Sequence, residues 1–225
     1  MKKHHGNYFV GVPIRSEYSK QWFSKWKNFH KGVRLHHPDD LHVTLAFLGR
    51  NVNETKLNSI RKYLDEMNSF VVPQFFTLQK PHMWPNTQHP LGIGLEIGEN
   101  FRLLQSIVFA HRDHLIKIVG KTEVEIAIPH VTIAQFPRAN HPNYNECKQS
   151  IWQWYENKNG KSYIPGSDCR ILLDEIALYT WAEGYPNYDK PHMPNFQIVH
   201  RKKLLVDRLC NSLHIHFKQH NLSPF

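Results

Sequence analysis

Two stretches, LHVTLAFLG (residues 41–49) and PHVTIAQFP (residues 129–137), decide the predicted fold because they repeat one phrase. Each copy contains His-Val-Thr, then Leu or Ile, then Ala, inside an apolar run. Short apolar runs that alternate with polar residues are typical of β-strands. A bare His-x-Thr triplet recurs by chance in a chain with 17 histidines, but the longer shared context argues against coincidence. The sequence therefore predicts two matched strands.

Alternation along a strand assigns these residues to two faces. The aliphatic set is expected to be buried: Leu41, Val43, Leu45 and Phe47 in the first copy, and Val131 and Ile133 in the second. The opposite face then carries His42, Thr44 and Ala46, and in the second copy His130, Thr132 and Ala134. On each strand the imidazole and the hydroxyl are expected about 7 Å apart, with open space beyond the alanine.

The order of elements after each motif also repeats. Each half is expected to run motif strand, helix, strand, Pro-rich loop, strand, and both loops contain Lys-Pro-His-Met, at 80–83 and 190–193. We predict strands at 8–14, 41–48, 74–80, 91–98, 124–136, 169–181 and 196–202, and helices at 16–31, 54–68, 100–118 and 143–158. The helix at 100–118 is expected to bury Leu103, Leu104, Ile107, Val108 and Leu115. This pattern indicates an α+β chain with pseudo-two-fold symmetry, in which 1–204 form one bilobal domain and 205–225 a C-terminal helical extension.

Composition narrows the class of partner. The 28 Lys and Arg residues against 19 Asp and Glu give a net charge of +9, which favours polyanions such as nucleic acid. Cys147, Cys169 and Cys210 show no CxxC spacing, which argues against a disulfide framework and for a reducing compartment. No apolar segment approaches the length of a membrane span. We therefore expect a cytoplasmic monomer that acts on RNA ends or oligonucleotides and not at a membrane.

If the symmetry brings the two motif strands together, their polar faces form a cleft suited to a phosphodiester. A neutral histidine can take a proton from the attacking group, while a protonated one gives a proton to the leaving oxygen. The threonines can hydrogen-bond the non-bridging oxygens. This chemistry requires no metal and no cofactor. The residues alone do not assign which histidine is donor and which is acceptor.

The paired motifs resemble the HxTx signatures of the two-histidine (2H) phosphoesterase superfamily, and especially the RNA 2',3'-cyclic phosphodiesterases, also called the 2'-5' RNA ligase family. The resemblance runs from YFVGVPI (8–14) to FQIVHRKKL (196–204). It implies a bilobal LigT-like fold of two antiparallel sheets with flanking helices, and opening of a terminal 2',3'-cyclic phosphate to a 2'-phosphate. It also implies that His42 is the proton donor, that His130 is the proton acceptor, and that Thr44 and Thr132 bind the phosphate.

The chain departs from the family pattern in three places. Gln135 stands near a position where relatives often carry arginine, and Arg138 is expected to supply that charge instead. The loop at 182–194 is longer and more aromatic than the family loop, and the extension at 205–225 lies beyond the family core. These departures leave open a second activity, cleavage of 2'-5'-linked or cyclic signalling oligonucleotides, and also 2'-5' RNA ligation.

Other residues carry weaker signals. Tyr179, together with Tyr8, Trp84 and Trp181, lies at a strand end where it could stack on a base or pack in the core. His214, His216 and His220 have ligand-like spacing, but no nearby carboxylate or cysteine completes a metal set, so a solvated helix face is the simpler interpretation. A third hypothesis is an RNA-binding module that grips phosphates without turnover, which the two intact motifs disfavour.

Overall fold

A computed structural model describes residues 7–14, 33–50, 52–67, 74–84, 90–120, 128–137, 142–156, 170–182 and 194–204. The predictions that fall wholly or mostly outside these ranges are the helix at 16–31, Arg138, the loop at 182–194 with the second Lys-Pro-His-Met copy, and the extension at 205–225. None of the helices in the described ranges is both long and apolar enough to cross a membrane.

Strands and three α-helices make up the described part of the chain. The strands are β1 (Tyr8–Pro13), β2 (Arg34–Leu35), β3 (His42–Gly49), β4 (Gln74–Trp84), β5 (Gly92–Ile97), β6 (His130–Gln135), β7 (Arg170–Leu173), β8 (Glu175–Trp181) and β9 (Phe196–Lys203). The helices are α1 (Glu54–Glu66), α2 (Phe101–Val119) and α3 (Tyr144–Glu156). A short 3-10 turn, Pro38–Asp40, leads into β3.

The two motif strands occupy the centre of one antiparallel sheet. The strand order is β7-β4-β5-β6-β3-β1-β8-β9, and β2 also pairs with β6. Val43 of β3 pairs with Val131 of β6 at the middle. Three further strands continue the sheet on either side of this central pair. The predicted α+β fold is confirmed, and the two expected sheets meet at the β3–β6 junction to form one.

The two halves of the sheet are interleaved along the chain. β4 and β5 follow β3 in sequence, yet β5 pairs with β6. In the same way β8 and β9 follow β6, yet β8 pairs with β1 beside β3. Each motif strand is therefore supported by strands that follow the other motif in sequence.

Helices α1 and α2 contribute to the apolar core that also contains Val43 and Val131. Helix α1 begins where the Asn53 side chain accepts a hydrogen bond from the Lys56 amide, and α2 ends at Gly120, whose φ of 74° suits glycine. The prediction for α2 is correct for Leu104, Val108 and Leu115, which are buried. It is wrong for Leu103, which is 38% exposed because it lies one residue away from that helical stripe.

The first Lys-Pro-His-Met copy was predicted in a loop and instead lies within β4. Pro81 lacks a backbone N–H and would interrupt a regular ladder. The pairing of β4 with β5 is irregular between Leu78 and Pro81, which accommodates the proline. The strand then continues to Trp84. His82 and Trp84 pair with residues of β5, the strand that lies beside β6.

Candidate active site

The structure brings His42, Thr44, His130 and Thr132 to one face of the sheet. Val43 and Val131 form a cross-strand pair and are completely buried on the other face. Residues on either side of a buried strand residue point to the opposite face. Because β3 and β6 run antiparallel, His42 lies at the same end of the pair as Thr132, and Thr44 at the same end as His130. Each imidazole therefore neighbours the hydroxyl of the other motif.

Both motif strands bulge directly after the threonine. Gly11 pairs with Thr44 and Val10 with Ala46, so Leu45 has no partner in β1. The second strand repeats this irregularity, because β5 residues 94 and 93 pair with residues 132 and 134 of β6. At a bulge, two successive residues of one strand oppose a single residue of its neighbour, so the side chains that follow change faces. The predicted faces are therefore wrong beyond Leu45: Ala46 is buried and Phe47 is 47% exposed.

Both catalytic candidates are held by the same backbone hydrogen bond. The Nδ1 atom of His42 lies 2.6 Å from the carbonyl oxygen of Asp40, and Nδ1 of His130 lies 2.8 Å from that of Ile128. A carbonyl only accepts, so Nδ1 carries the proton and Nε2 is the nitrogen that exchanges protons with a substrate. The Thr44 hydroxyl, 3.1 Å from Nε2 of His42, donates to it when the ring is neutral.

Aromatic rings surround His42. The centroid distances from its ring are 4.6 Å to Phe9, 5.2 Å to Tyr179 and 5.5 Å to Phe196. Burial lowers the pKa of His42 to about 4; the hydrogen bond to the Asp40 carbonyl opposes this shift, and the nearby His130 contributes to it. This imidazole is therefore neutral at pH 7.

His130 stands beside an open cleft instead. Trp84 stacks on its ring with a centroid distance of 3.9 Å and an interplanar angle of 22°. The cleft has a volume of about 310 Å³, and its walls include His82, Trp84, Glu96, Phe101, Ile128 and His130. Burial lowers the pKa of His130 as well. The two halves of the site are thus alike in their motifs and different in their surroundings.

Two glycines support the histidines, and the sequence analysis missed both. A Cβ atom on Gly11 would lie 3.2 Å from Cδ2 of His42, and one on Gly94 would lie 3.1 Å from Cδ2 of His130. Each glycine also pairs with the threonine of the same motif. The signal was present, since a glycine inside an apolar strand marks a close approach of another group. Here that group is the imidazole.

Comparisons with known proteins agree with this geometry. Residues 12–93 match the family described as LigT-like phosphoesterase. A Bacillus subtilis RNA 2',3'-cyclic phosphodiesterase is 28% identical over 134 residues, which span 57% of this chain and 70% of that protein. The chain is similar to the LigT-like phosphoesterases over residues 12–93. The resemblance predicted from the paired motifs is thereby confirmed.

The fold of this chain is similar to that of solved phosphoesterase structures. Escherichia coli LigT in complex with 3'-AMP superposes with a TM-score of 0.63 at 17% identity, covering 89% of this chain and 98% of that one. A crystal structure described as a phosphoesterase gives 0.62 at 16% identity, with coverage of 88% and 98%. The LigT-like family match contains the first motif but ends before the second.

The other predicted site residues have different outcomes. Arg138, expected to replace a family arginine, lies outside the described residues. Tyr179 is 1% exposed, and its ring stacks parallel to Phe9 behind His42, at a centroid distance of 4.7 Å. Its ring is therefore covered by protein, whereas Trp84 lines the open cleft. His214, His216 and His220 also lie outside the described ranges, within which no group of three or more His, Cys, Asp or Glu side chains could hold a metal ion.

Asp40 connects the first motif to the start of β9. Its buried carboxylate accepts hydrogen bonds from the Asn195 amide, the Asn195 side chain and the Phe196 amide, at 2.8 to 3.0 Å. Burial raises the pKa of Asp40, and these donors act in the opposite direction. The same residue holds His42 through its carbonyl, so one aspartate fixes both the imidazole and the Phe196 ring beside it.

A third histidine, His36, is buried near His42. It is 2% exposed, and neither ring nitrogen has a hydrogen-bond partner among the described residues. Burial, together with the charges of His42 and Arg34, lowers the pKa of His36 to about 3. Its ring packs against Phe196 at a centroid distance of 5.9 Å.

Proposed function

We propose that the chain opens a 2',3'-cyclic phosphate at an RNA end and leaves a 2'-phosphate. The observation that carries the proposal is the pair of His-Thr motifs on adjacent central strands, with both Nδ1 atoms fixed by a carbonyl. The name of the Bacillus subtilis relative and the 3'-AMP bound by Escherichia coli LigT support this class of substrate. The net charge of +9 favours an anionic substrate.

The proposed reaction is an in-line displacement at phosphorus. A water molecule attacks, and its proton passes to Nε2 of His130. The bond from phosphorus to the 3' oxygen breaks, and that oxygen takes a proton from Nε2 of His42. Thr44 and Thr132 donate hydrogen bonds to the non-bridging oxygens, where negative charge increases in the transition state. The products are a 2'-phosphate and a 3'-hydroxyl, and proton exchange with solvent restores both histidines.

The proposed acid must gain its proton as the substrate binds. Burial lowers the pKa of both histidines, so both are neutral near pH 7 before a substrate binds. The negative charge of a bound phosphate favours the protonated form of a neighbouring imidazole. The bound phosphodiester is thus the substrate and also the anion that favours protonation of His42.

A substrate panel in the presence of EDTA tests the function. The panel contains an RNA with a 2',3'-cyclic end, a 2'-5' oligomer, and cyclic di- and trinucleotides. We expect turnover of the cyclic end, and a loss of at least about 100-fold in His42→Ala and His130→Ala. His114→Ala, a change at an exposed helical histidine, is the matched control. Turnover of another substrate alone would reject the proposed one, full activity in both site variants would reject catalysis by this pair, and inactivation by EDTA would contradict the metal-free mechanism.

A substrate with an activated leaving group tests the separate roles of the two histidines. Nitrophenolate leaves without protonation, so a 3'-deoxynucleoside 2'-(4-nitrophenyl phosphate), in which nitrophenolate replaces the 3' oxygen as leaving group, does not need a general acid. We expect His42→Ala to recover most of its lost rate on this substrate, and His130→Ala to recover none. The opposite result would exchange the donor and the acceptor while leaving the pair intact.

Two finer predictions accompany this proposal. With a 5'-hydroxyl in place of water as the nucleophile, the same site would open the 2',3'-cyclic phosphate into a 2'-5' linkage and release the 3'-hydroxyl. The assay is incubation of a cyclic-phosphate end with a 5'-hydroxyl end, followed by analysis of the linkage. A cytoplasmic location is a prediction from the cysteine usage of the sequence.

A further inference from the structure

We propose that the cleft beside His130 binds the base of the terminal nucleotide and selects guanine through Glu96. This inference rests on the proposed function, because it takes the cyclic phosphate to lie between the two motifs. It concerns which RNA end the site prefers, a choice that the motif residues themselves do not make.

The cleft adjoins the place where the phosphate would lie. Glu96 of β5 pairs directly with His130 of β6, and Gly94 pairs with both Thr132 and His82. Cross-strand partners point to the same face of a sheet. His82 and Glu96 therefore stand on the face that carries the second motif, on the side of His130 away from His42.

The surroundings of the two histidines leave room for a nucleoside on one side. Around His42 the space is filled by Phe9, Tyr179 and Phe196. Beside His130 the cleft of about 310 Å³ falls in the size range of small-ligand sites. Trp84, Phe101 and Ile128 supply apolar walls, which suit the faces of a base.

The polar groups in this cleft match one Watson–Crick edge. The Glu96 side chain is 38% exposed, and its polar partner among the described residues is Nδ1 of His82 at 3.5 Å. An ionised carboxylate only accepts hydrogen bonds, with two oxygens side by side. Guanine presents two adjacent donors, at N1 and N2, whereas adenine, cytosine and uracil each place an acceptor beside their donor. A carboxylate thus pairs fully with guanine and opposes a lone pair on the other bases.

The test compares short RNAs that differ only in the base bearing the 2',3'-cyclic phosphate. We expect kcat/KM for a terminal guanosine to exceed that for adenosine by about tenfold or more, in line with one good bidentate contact. Glu96→Gln replaces one accepting oxygen with a donor, so it should remove most of this preference by lowering the rate on guanosine, and the rate on adenosine should not fall. Glu99→Gln, a carboxamide at an exposed position outside the cleft, is the matched control and should leave the preference unchanged.

Each alternative result has a distinct meaning. Equal rates on all four bases, or a preference for another base that Glu96→Gln leaves intact, would overturn this inference and leave the proposed function standing. A fall of equal size on every base in Glu96→Gln, with a shifted pH profile, would show that Glu96 acts on His130 and not on the base, which also overturns it. No turnover of any cyclic end would reject the proposed function itself.

Discussion

A Cβ atom on Gly94 would lie 3.1 Å from Cδ2 of His130, closer than side-chain contacts normally allow. The imidazole therefore lies directly over a strand position that has no side chain. Gly11 and His42 repeat this relationship in the other half of the site. Each histidine is thus oriented from two directions, by a carbonyl at Nδ1 and by a glycine beneath the ring.

Gly94→Ala is expected to displace His130 by a few tenths of an ångström while the protein stays folded. Such a displacement lowers the rate of chemistry more than it weakens binding, so kcat should fall about tenfold or more with a small change in KM. The control is Gly98→Ala in the same region, where the added Cβ meets the exposed Gln79 side chain, which can move away. Steady-state kinetics on a cyclic-phosphate RNA measure both variants. An unchanged kcat in Gly94→Ala would contradict the positioning role.

Asp40→Ala is expected to reduce both stability and activity. It leaves three buried donors of Asn195 and Phe196 without their acceptor, and each unpaired buried group costs about 1–3 kcal/mol. We expect the free energy of unfolding to fall by about 3 kcal/mol or more in urea denaturation. Asp39→Ala, at the exposed neighbouring position, should change it by less than about 0.5 kcal/mol. Equal effects of the two substitutions would show that the Asp40 network contributes little.

His36→Phe is expected to stabilise the protein. It removes two buried ring nitrogens that have no partner among the described residues, a gain of about 1–3 kcal/mol at pH 7. This gain in the free energy of unfolding should increase as the pH falls. The unfolded histidine binds a proton below about pH 6.5, whereas folded His36, with its pKa near 3, does not, so the wild type loses stability as the pH falls.

Denaturation curves at pH 7 and pH 4 measure this effect. The lowered pKa of His36 predicts an additional advantage of the variant of about 3 kcal/mol at pH 4. The same substitution at His114, which lies on an exposed helix surface, is the control for the general effect of replacing a histidine by phenylalanine. A variant that is less stable than the wild type at both pH values would show that His36 has a partner that holds it.

The pH dependence of catalysis should have an acidic component. The productive form needs one charged and one neutral histidine, and burial lowers the pKa of both His42 and His130. Since kcat/KM reports the free enzyme, its maximum is expected below pH 6.5. Bound phosphate favours the imidazolium form, so the maximum of kcat should lie at higher pH than that of kcat/KM. Rate profiles at constant ionic strength test this, and a maximum of kcat/KM above pH 7 would contradict it.

Periodicity predicted the elements that follow regular rules. The alternation around Val43 and Val131 and the apolar stripe of α2 gave correct strands and helices, because burial of one face dominates both patterns. The strict alternation failed at Phe47, because a bulge adds a residue that period-two counting does not include. The use of proline as a loop signal also failed, because Pro81 lies within the irregular strand β4.

The candidate site was predicted in its motifs and not in its surroundings. The repeated phrase was sufficient to pair His42 with His130. The partners of these histidines come from strands distant in sequence: Trp84 from β4 for His130, and Phe9, Tyr179 and Phe196 from β1, β8 and β9 for His42. Such contacts depend on sheet register, which local patterns do not encode. The difference between a closed and an open side of the site therefore became visible only in three dimensions.

The interleaved strand order has a consequence for how the protein is made. Both motifs have been synthesised once the chain reaches residue 135, yet β1 lacks its neighbour β8 until residue 181, and the Phe196 ring beside His42 arrives with β9. The pairing of β1 with β8 is also the kind of distant contact that slows folding. A growing chain on the ribosome thus contains both histidines well before it contains Tyr179 and Phe196, which lie beside His42. Enzyme activity should appear only when the final strands have left the exit tunnel.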